Sequence, residues 1–338
     1  MVAAPTFYVV PGSAVKSAIE SNRSRVFEAV EAAYRLHAAG QSVNPDSYFL
    51  RFPDKPGSRI IALPAHLGGT VQKSGIKWIA SFPENRAGNL ARASAVQILN
   101  DGTTGYPTAC IEASLISATR TAASAALAAE RLCLTPLDGE LAIVGAGVIA
   151  RTTVEWLLFR GWRLRSVRLF DVDPREAEKF KAWLRDGHNP MADVCTTVDG
   201  ALSGASLIVL TTTALEPYLA DATLFAHSPT VLHLSLRDLA VSIVLASQNI
   251  VDDVDHCLKA NTSLHLAEQA VGNRNFVAGT LVDVLDGRLM PDADRTRIFA
   301  PFGLGVLDLA VSDLVLEASV ASGEALPLPD FFSNSVRW

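Results

Sequence analysis

The segment Leu141-Ala142-Ile143-Val144-Gly145-Ala146-Gly147-Val148-Ile149-Ala150 constrains this chain more than any other. Four apolar residues read as a buried strand, Val148–Phe159 reads as a helix, and the turn between them is G-x-G-x-x-A. Gly145 permits the tight turn, Gly147 lets backbone approach a phosphate, and the small Ala150 lets helix and strand pack closely. The helix N-terminus leaves N–H groups without intrahelical partners, and these suit an anion. Such a turn also occurs as an ordinary glycine loop. Here a second strand, Ser166–Phe170, follows and ends at Asp171, and the combination is what a dinucleotide site requires. Gly145, Ala146, Gly147, Val148 and Ile149 are the expected phosphate loop. Asp171 is placed to accept ribose hydroxyls and to repel a 2′-phosphate, so NAD is the expected cofactor. Asp173 is the rival acid, but it precedes Pro174 and reads better as a helix cap.

Around this loop strands and helices alternate. Pro174–Leu184 is a helix, and Leu207–Leu210, Thr230–Leu234 and Asn249–Val251 are short apolar strands, which implies a parallel sheet flanked by helices. The first part of the chain has a different rhythm. A helix is expected over 14–39, then strands at Ser47–Phe52, Ser58–Leu63, Gly75–Phe82, Ala93–Leu99 and Tyr106–Glu112, then an alanine-rich helix at Ser114–Leu132. Thr135–Gly139 is the clearest linker. Val306–Ala321 is an apolar helix that begins after the sheet has ended, so it is expected to return to the first domain. The expected fold is α/β: a Rossmann dinucleotide domain at 133–299, and a mixed α/β domain for substrate binding and dimerisation at 1–132 with 300–338.

Composition excludes several classes. With 29 basic and 35 acidic side chains, a net charge of −6 and no basic patch, a nucleic-acid surface is not expected. Cys110, Cys133, Cys195 and Cys257 have neither C-x-x-C nor metal-ligand spacing, so they read as reduced thiols, and no metal site is expected. No apolar run reaches the ~18 residues of a membrane span, and the N-terminal residues do not resemble a secretory signal, so a cytoplasmic protein is expected. The mean hydropathy of +0.25 fits a large core or an oligomer that hides apolar surface.

Four blocks occur in a telling order: Gly75-Ile76-Lys77-Trp78, then Ser117-Ala118-Thr119-Arg120-Thr121-Ala122-Ala123, the Gly145–Ala150 loop, and Phe299 through Asp308. Over nearly its whole length the chain resembles the ornithine cyclodeaminase/mu-crystallin superfamily. That resemblance implies a dimer whose N-terminal domain binds a small amino-acid substrate. A narrower set of segments is similar to the 2,3-diaminopropionate biosynthesis dehydrogenases: Phe49–Pro53, Arg59–Ala65, Gly75–Pro83, His233–Asp238 and His265–Arg274. The narrower likeness implies oxidation of N-(2-amino-2-carboxyethyl)-L-glutamate to 2,3-diaminopropionate and 2-oxoglutarate, for siderophore or peptide natural-product pathways. A cysteine-synthase-like, phosphoserine-dependent synthase would supply the substrate.

The resemblance assigns Arg51, Lys77 and Arg120 to the substrate, Thr121 to the cofactor, and Lys77 and Asp238 to catalysis, Asp238 as general base. On the residues alone, Arg51 reads as a surface charge, while Lys77 is unusual because it interrupts an apolar strand. Asp238 alone reads as a loop or cap residue, although it follows a strand end, where ligand crevices form. Thr211, Thr212 and Thr213 follow the Leu207–Leu210 strand and either line the nicotinamide pocket or are plain strand-end threonines. His233 reads as a core histidine. Two other readings remain open. One is a cyclodeaminase or another amino- or imino-acid oxidoreductase, against which stands the Leu-Arg-Asp context of Asp238. The other is a cofactor-binding protein without catalysis, as in the crystallin branch.

Overall fold

A computed structural model of the protein describes residues 5–135, 137–187 and 191–332. These divide into two compact units, one within Met1–Arg120 and Leu304–Trp338, the other within Thr121–Gly303. The first joint lies inside the helix Ser114–Leu132, where the sequence reading placed it at 132–133; the second lies at 303–304, where the reading placed it at 299–300. Of the expected linker, Asp138 and Gly139 already belong to the strand Asp138–Val144, and Pro136 lies outside the described residues.

The first unit is built on an eight-stranded mixed sheet. In spatial order the strands are Leu326–Leu328, Phe7–Val10, Pro107–Glu112, Ala93–Asp101, Lys73–Ser81, Lys55–Leu67 and Ser42–Val43, and Tyr48–Phe52 also pairs with Lys55–Leu67. The middle strands run beyond the apolar stretches seen in the sequence because they pair without interruption from Arg59↔Ser81 to Leu67↔Lys73. Ladder bonding carries them through polar residues that pattern alone assigns to loops. Phe7–Val10, Ser42–Val43 and Leu326–Leu328 were not expected: they are short, and partners distant in sequence define them. The helix expected over 14–39 is two helices, Gly12–Ser21 and Arg23–Ala38. At the break Asn22 leaves the helical region, with φ −129°, and its side chain donates to Ala18 O at 2.8 Å.

Directly paired residues of an antiparallel sheet share a face. One face therefore carries Arg59, Ile61, Leu63, Lys77, Ile79, Ser81, Ala95 and Gln97. The helix Gly305–Ala321 lies on this face at the Gly75 end, where a Cβ on Gly75 would sit 3.0 Å from Leu309 and 2.2 Å from Ile98 O. The helix buries Val306, Leu307, Leu309, Ala310 and Val311, and so behaves as an internal rather than an amphipathic element.

The second unit is an eight-stranded, all-parallel sheet. Asp138–Val144 has Arg163–Phe170 and then Met191–Val194 on one side. On the other side come Leu207–Leu210, Thr230–His233, Arg297–Phe299, Gln248–Val251 and Val277–Thr280. The strand order reverses at Asp138–Val144, which makes this a doubly wound nucleotide fold with its crevice at the strands' carboxyl ends. Leu207–Leu210 and Thr230–His233 are buried throughout, as continuous apolar runs require. Met191–Val194, Val277–Thr280 and Arg297–Phe299 escaped the sequence reading, having no such run.

Candidate functional site

In the second unit the Gly145 turn sits at the carboxyl end of Asp138–Val144. Gly145 has φ +94°, and a Cβ there would approach Thr211 O to 2.7 Å, so only glycine fits. Its N–H donates to Phe170 O at 2.8 Å. Gly147 caps the helix Val148–Phe159, and a Cβ on it would meet nothing within 4 Å. Val148, on the first turn, is exposed, Ile149 is half-buried and Ala150 is buried against the sheet. Asp171 is half-buried and accepts from Ala146 N at 2.7 Å and Asp173 N at 2.9 Å. Open space over Gly147, a helix N-terminus and a carboxylate tied to the same turn together fit a dinucleotide's pyrophosphate and ribose. Thr211 closes the turn from behind, its hydroxyl donating to Gly145 O at 2.7 Å. That makes Thr211 a support of the loop. Thr213 is exposed, and Thr121 is half-buried on the helix Ser114–Leu132.

Asp238 has no exposed surface. His233 Nε2 lies 3.0 Å from its Oδ2, and the hydroxyls of Ser235 and Thr212 both donate to the carboxylate. Burial pushes the carboxyl up, but the donors outweigh it. His233, Ser235 and Thr212 together lower its pKa to about 2. Such a carboxylate is a weak proton acceptor near neutral pH. The arrangement holds an ionised carboxylate at the edge of the sheet. Tyr218, which sequence reasoning missed, is the partly exposed member of this group. Burial and the adjacent Asp238, to which its hydroxyl is hydrogen-bonded, hold its phenol well above the usual value, so it remains a donor. The loop holding Asp238 is strained: Leu236 has φ +75°, a conformation a bulky residue rarely adopts.

In the first unit Lys77 is the polar centre of the sheet, its side chain only 2% exposed. Its ammonium donates to Asp308 Oδ2 at 2.7 Å and to Ser117 Oγ at 3.2 Å. Arg120 Nε donates to Asp308 Oδ1 at 3.2 Å. Burial lowers the Lys77 pKa, Asp308 opposes that, Arg120 adds to it, and the result is about 8. Gln97, paired with Lys77 in the next strand, is buried, and its Oε1 has no hydrogen-bond partner among the described residues. Arg51, by contrast, is exposed, with its guanidinium 5.3 Å from the Phe49 ring centre. Asp308 was noted only as the end of a matching block. Its signal was nevertheless legible: a single acid inside the apolar run Val306–Val311. Gln97, Ser117, Tyr218 and Ser235 gave no such signal.

A sequence profile of the ornithine cyclodeaminase/mu-crystallin family matches residues 12–323. The chain belongs to this family. Among its relatives is the N-((2S)-2-amino-2-carboxyethyl)-L-glutamate dehydrogenase of Staphylococcus aureus, 29% identical over 86% of this chain and 88% of that protein. The alanine dehydrogenase of Archaeoglobus fulgidus is 28% identical over 87% of this chain and 89% of its own length. Among solved structures, an archaeal alanine dehydrogenase dimer with bound NAD superposes with a TM-score of 0.84. It is 25% identical, and the match covers 97% of this chain and 100% of that one. The family thus accounts for the order of the sequence blocks and for both sheets.

Proposed function

We propose that this protein is an NAD-dependent dehydrogenase of N-(2-amino-2-carboxyethyl)-L-glutamate, producing 2,3-diaminopropionate and 2-oxoglutarate. At the coarser level it is an NAD(P)-dependent oxidoreductase acting on the C–N bond of amino or imino acids, as its family and two sheets support. The observation that carries the reading as an enzyme of amino-acid carboxylates is Lys77 buried beside Arg120. The two cations share one buried acid, Asp308, which leaves the cluster with a net positive charge that suits a substrate carboxylate. The relationship to the Staphylococcus aureus enzyme supports the same substrate.

NAD bound at the Gly145 turn supplies a hydride acceptor, with Gly145, Ala146, Gly147, Val148 and Ile149 at its phosphates and Asp171 at its ribose. The chain's own residues do the rest. Arg120 and Lys77 hold substrate carboxylate, which fixes the glutamate α-carbon for loss of hydride. Loss of the amine proton with that hydride leaves a C=N bond. Water adds to its carbon, the C–N bond breaks, and diaminopropionate leaves from the ketoacid. Lys77, with a pKa of about 8, exchanges protons near neutral pH, and Gln97 Oε1 is an acceptor for a substrate N–H. Asp238 keeps its charge and holds Tyr218 as a donor.

A second copy of the chain is the natural cover for the opposite sheet face. There Tyr48, Leu50, Trp78 and Val96 stand 72%, 47%, 42% and 38% exposed. The test of function is NADH absorbance with the tricarboxylate, with alanine and with ornithine, and mass spectrometry of products. Diaminopropionate, 2-oxoglutarate and NADH in equal amounts are expected. NADH from alanine alone, or proline from ornithine, would overturn the reading.

A further inference from the structure

A row of cations crosses the first unit's sheet at the end remote from the Gly305–Ala321 helix. Arg51 pairs directly with Arg59, and Arg59 pairs with Ser81, on three successive strands. Ser81 pairs with Ala93, and Arg92 precedes it, its carbonyl accepting from Phe82 N at 2.8 Å. Arg86 lies on the short helix Pro83–Gly88 that joins these two strands. Like charges placed directly across a strand pair are unfavourable, and keeping Arg51 opposite Arg59 concentrates positive charge at this end of the sheet. Arg92 feels this crowding. Burial and then the charges of Arg59 and Arg86 lower its pKa. Arg92 Nε and Ser81 Oγ are both buried without a hydrogen-bond partner among the described residues.

Arg51, Arg59 and Ser81 share one sheet face with Lys77, and Arg92, just outside the ladder, lies close enough to feel the charge of Arg59. Arg59 and Leu63, the residue opposite Lys77, are four residues apart on one strand, about 13 Å at roughly 3.3 Å per residue. The face between them consists of Ile61, Leu63, Ile79 and Ala95, all apolar, with no acid among them. Such a floor suits methylene groups, and it offers nothing to a distal ammonium.

We propose that Arg59 and Arg92, flanked by Arg51 and Ser81, form a second carboxylate subsite that receives the side-chain carboxylate of the substrate's glutamate moiety. Lys77 and Arg120 hold one end of an extended substrate, the Ile61–Ile79 floor takes its methylenes, and the arginine row holds the far end. The subsite deepens the tricarboxylate reading and rests on it for the identity of the substrate. It also selects by exclusion, because an amino group at the far end would meet cations.

The test compares ligands that differ only at that end. Calorimetry with NADH present measures binding of 2-oxoglutarate and of 2-oxobutyrate to wild type, Arg59→Met, Arg59→Lys and Arg92→Met. Wild type is expected to prefer 2-oxoglutarate by about 10- to 100-fold, as a charged hydrogen bond predicts. The methionine variants should lose most of that preference, mainly through 2-oxoglutarate, and Arg59→Lys should recover part of it. Circular dichroism establishes that each variant is folded. In turnover, the selectivity for the tricarboxylate over its analogue built on L-2-aminobutyrate should collapse in the same variants. Equal binding of the two ketoacids by wild type, or unchanged preference in the folded variants, overturns the subsite. Preserved ketoacid preference without turnover of the tricarboxylate overturns the substrate assignment and leaves the subsite standing.

Discussion

Two buried clusters, one in each unit, answer the same problem in opposite ways. Around Lys77, an ammonium is taken out of water beside a second cation, and burial wins: the pKa falls from 10.5 to about 8. Around Asp238, a carboxylate is taken out of water among His233, Ser235 and Thr212, and the donors win: the pKa falls from 3.8 to about 2. Burial alone does not set the charge of a group. The number and sign of its polar neighbours do. The first cluster is left poised to exchange a proton near neutral pH, and the second is fixed as an anion.

Removing the poised group should have the largest effect. Lys77→Met keeps the stem and deletes the charge, so kcat/KM should fall by about 10³-fold, near 4 kcal/mol, while far-ultraviolet dichroism stays native. A smaller loss would place the chemistry elsewhere.

Deleting the shared carboxylate strikes the same cluster through stability. Asp308→Asn leaves Lys77 and Arg120 buried without their common anion, and should cost about 3 kcal/mol in urea unfolding. A loss under about 1 kcal/mol would mean that the cluster relaxes or is wetter than its geometry indicates.

The pH dependence should separate the clusters. The folded-state pKa of Lys77 is lowered, so the folded protein binds fewer protons than the unfolded one between pH 8 and 10.5. Stability relative to Lys77→Met should therefore rise with pH across that window, by up to about 3 kcal/mol. Asp238, also lowered, behaves as an acid: its contribution is present above pH 3.8 and is lost as pH falls through about 2. Relative to Asp238→Asn, wild type should lose about 2 kcal/mol over that acid window. Unfolding curves of each pair at several pH values test both signs, and a flat difference in either window would sink the corresponding assignment.

The smallest effect concerns the cofactor loop. Asp171→Ser should narrow the preference for NAD over NADP by about tenfold, read from kcat/KM with each cofactor. Comparable efficiency with both in the wild type would remove Asp171 from that role.

What the sequence determined is local. The Gly145 turn, its flanking strand and helix, and the acid closing the second strand are consecutive or nearly so, and their chemistry is dictated by φ, side-chain size and helix-end N–H groups. The alanine-rich helix Ser114–Leu132 and the strand Leu207–Leu210 were legible for the same reason: periodicity and apolar runs are properties of a segment. Lys77 announced itself by interrupting such a run. Only the tertiary structure decided which charges meet. Asp308 stands 231 residues from Lys77, and Tyr218 and Thr212 reach Asp238 only because adjacent parallel strands end at one edge. Register did the same for the arginines. Arg51, Arg59 and Arg92 are separate charges in the sequence; an antiparallel ladder places Arg51 opposite Arg59, and the end of the next strand brings Arg92 near Arg59. A pKa is set by what surrounds a group in space, and that environment is assembled from residues that no local pattern connects.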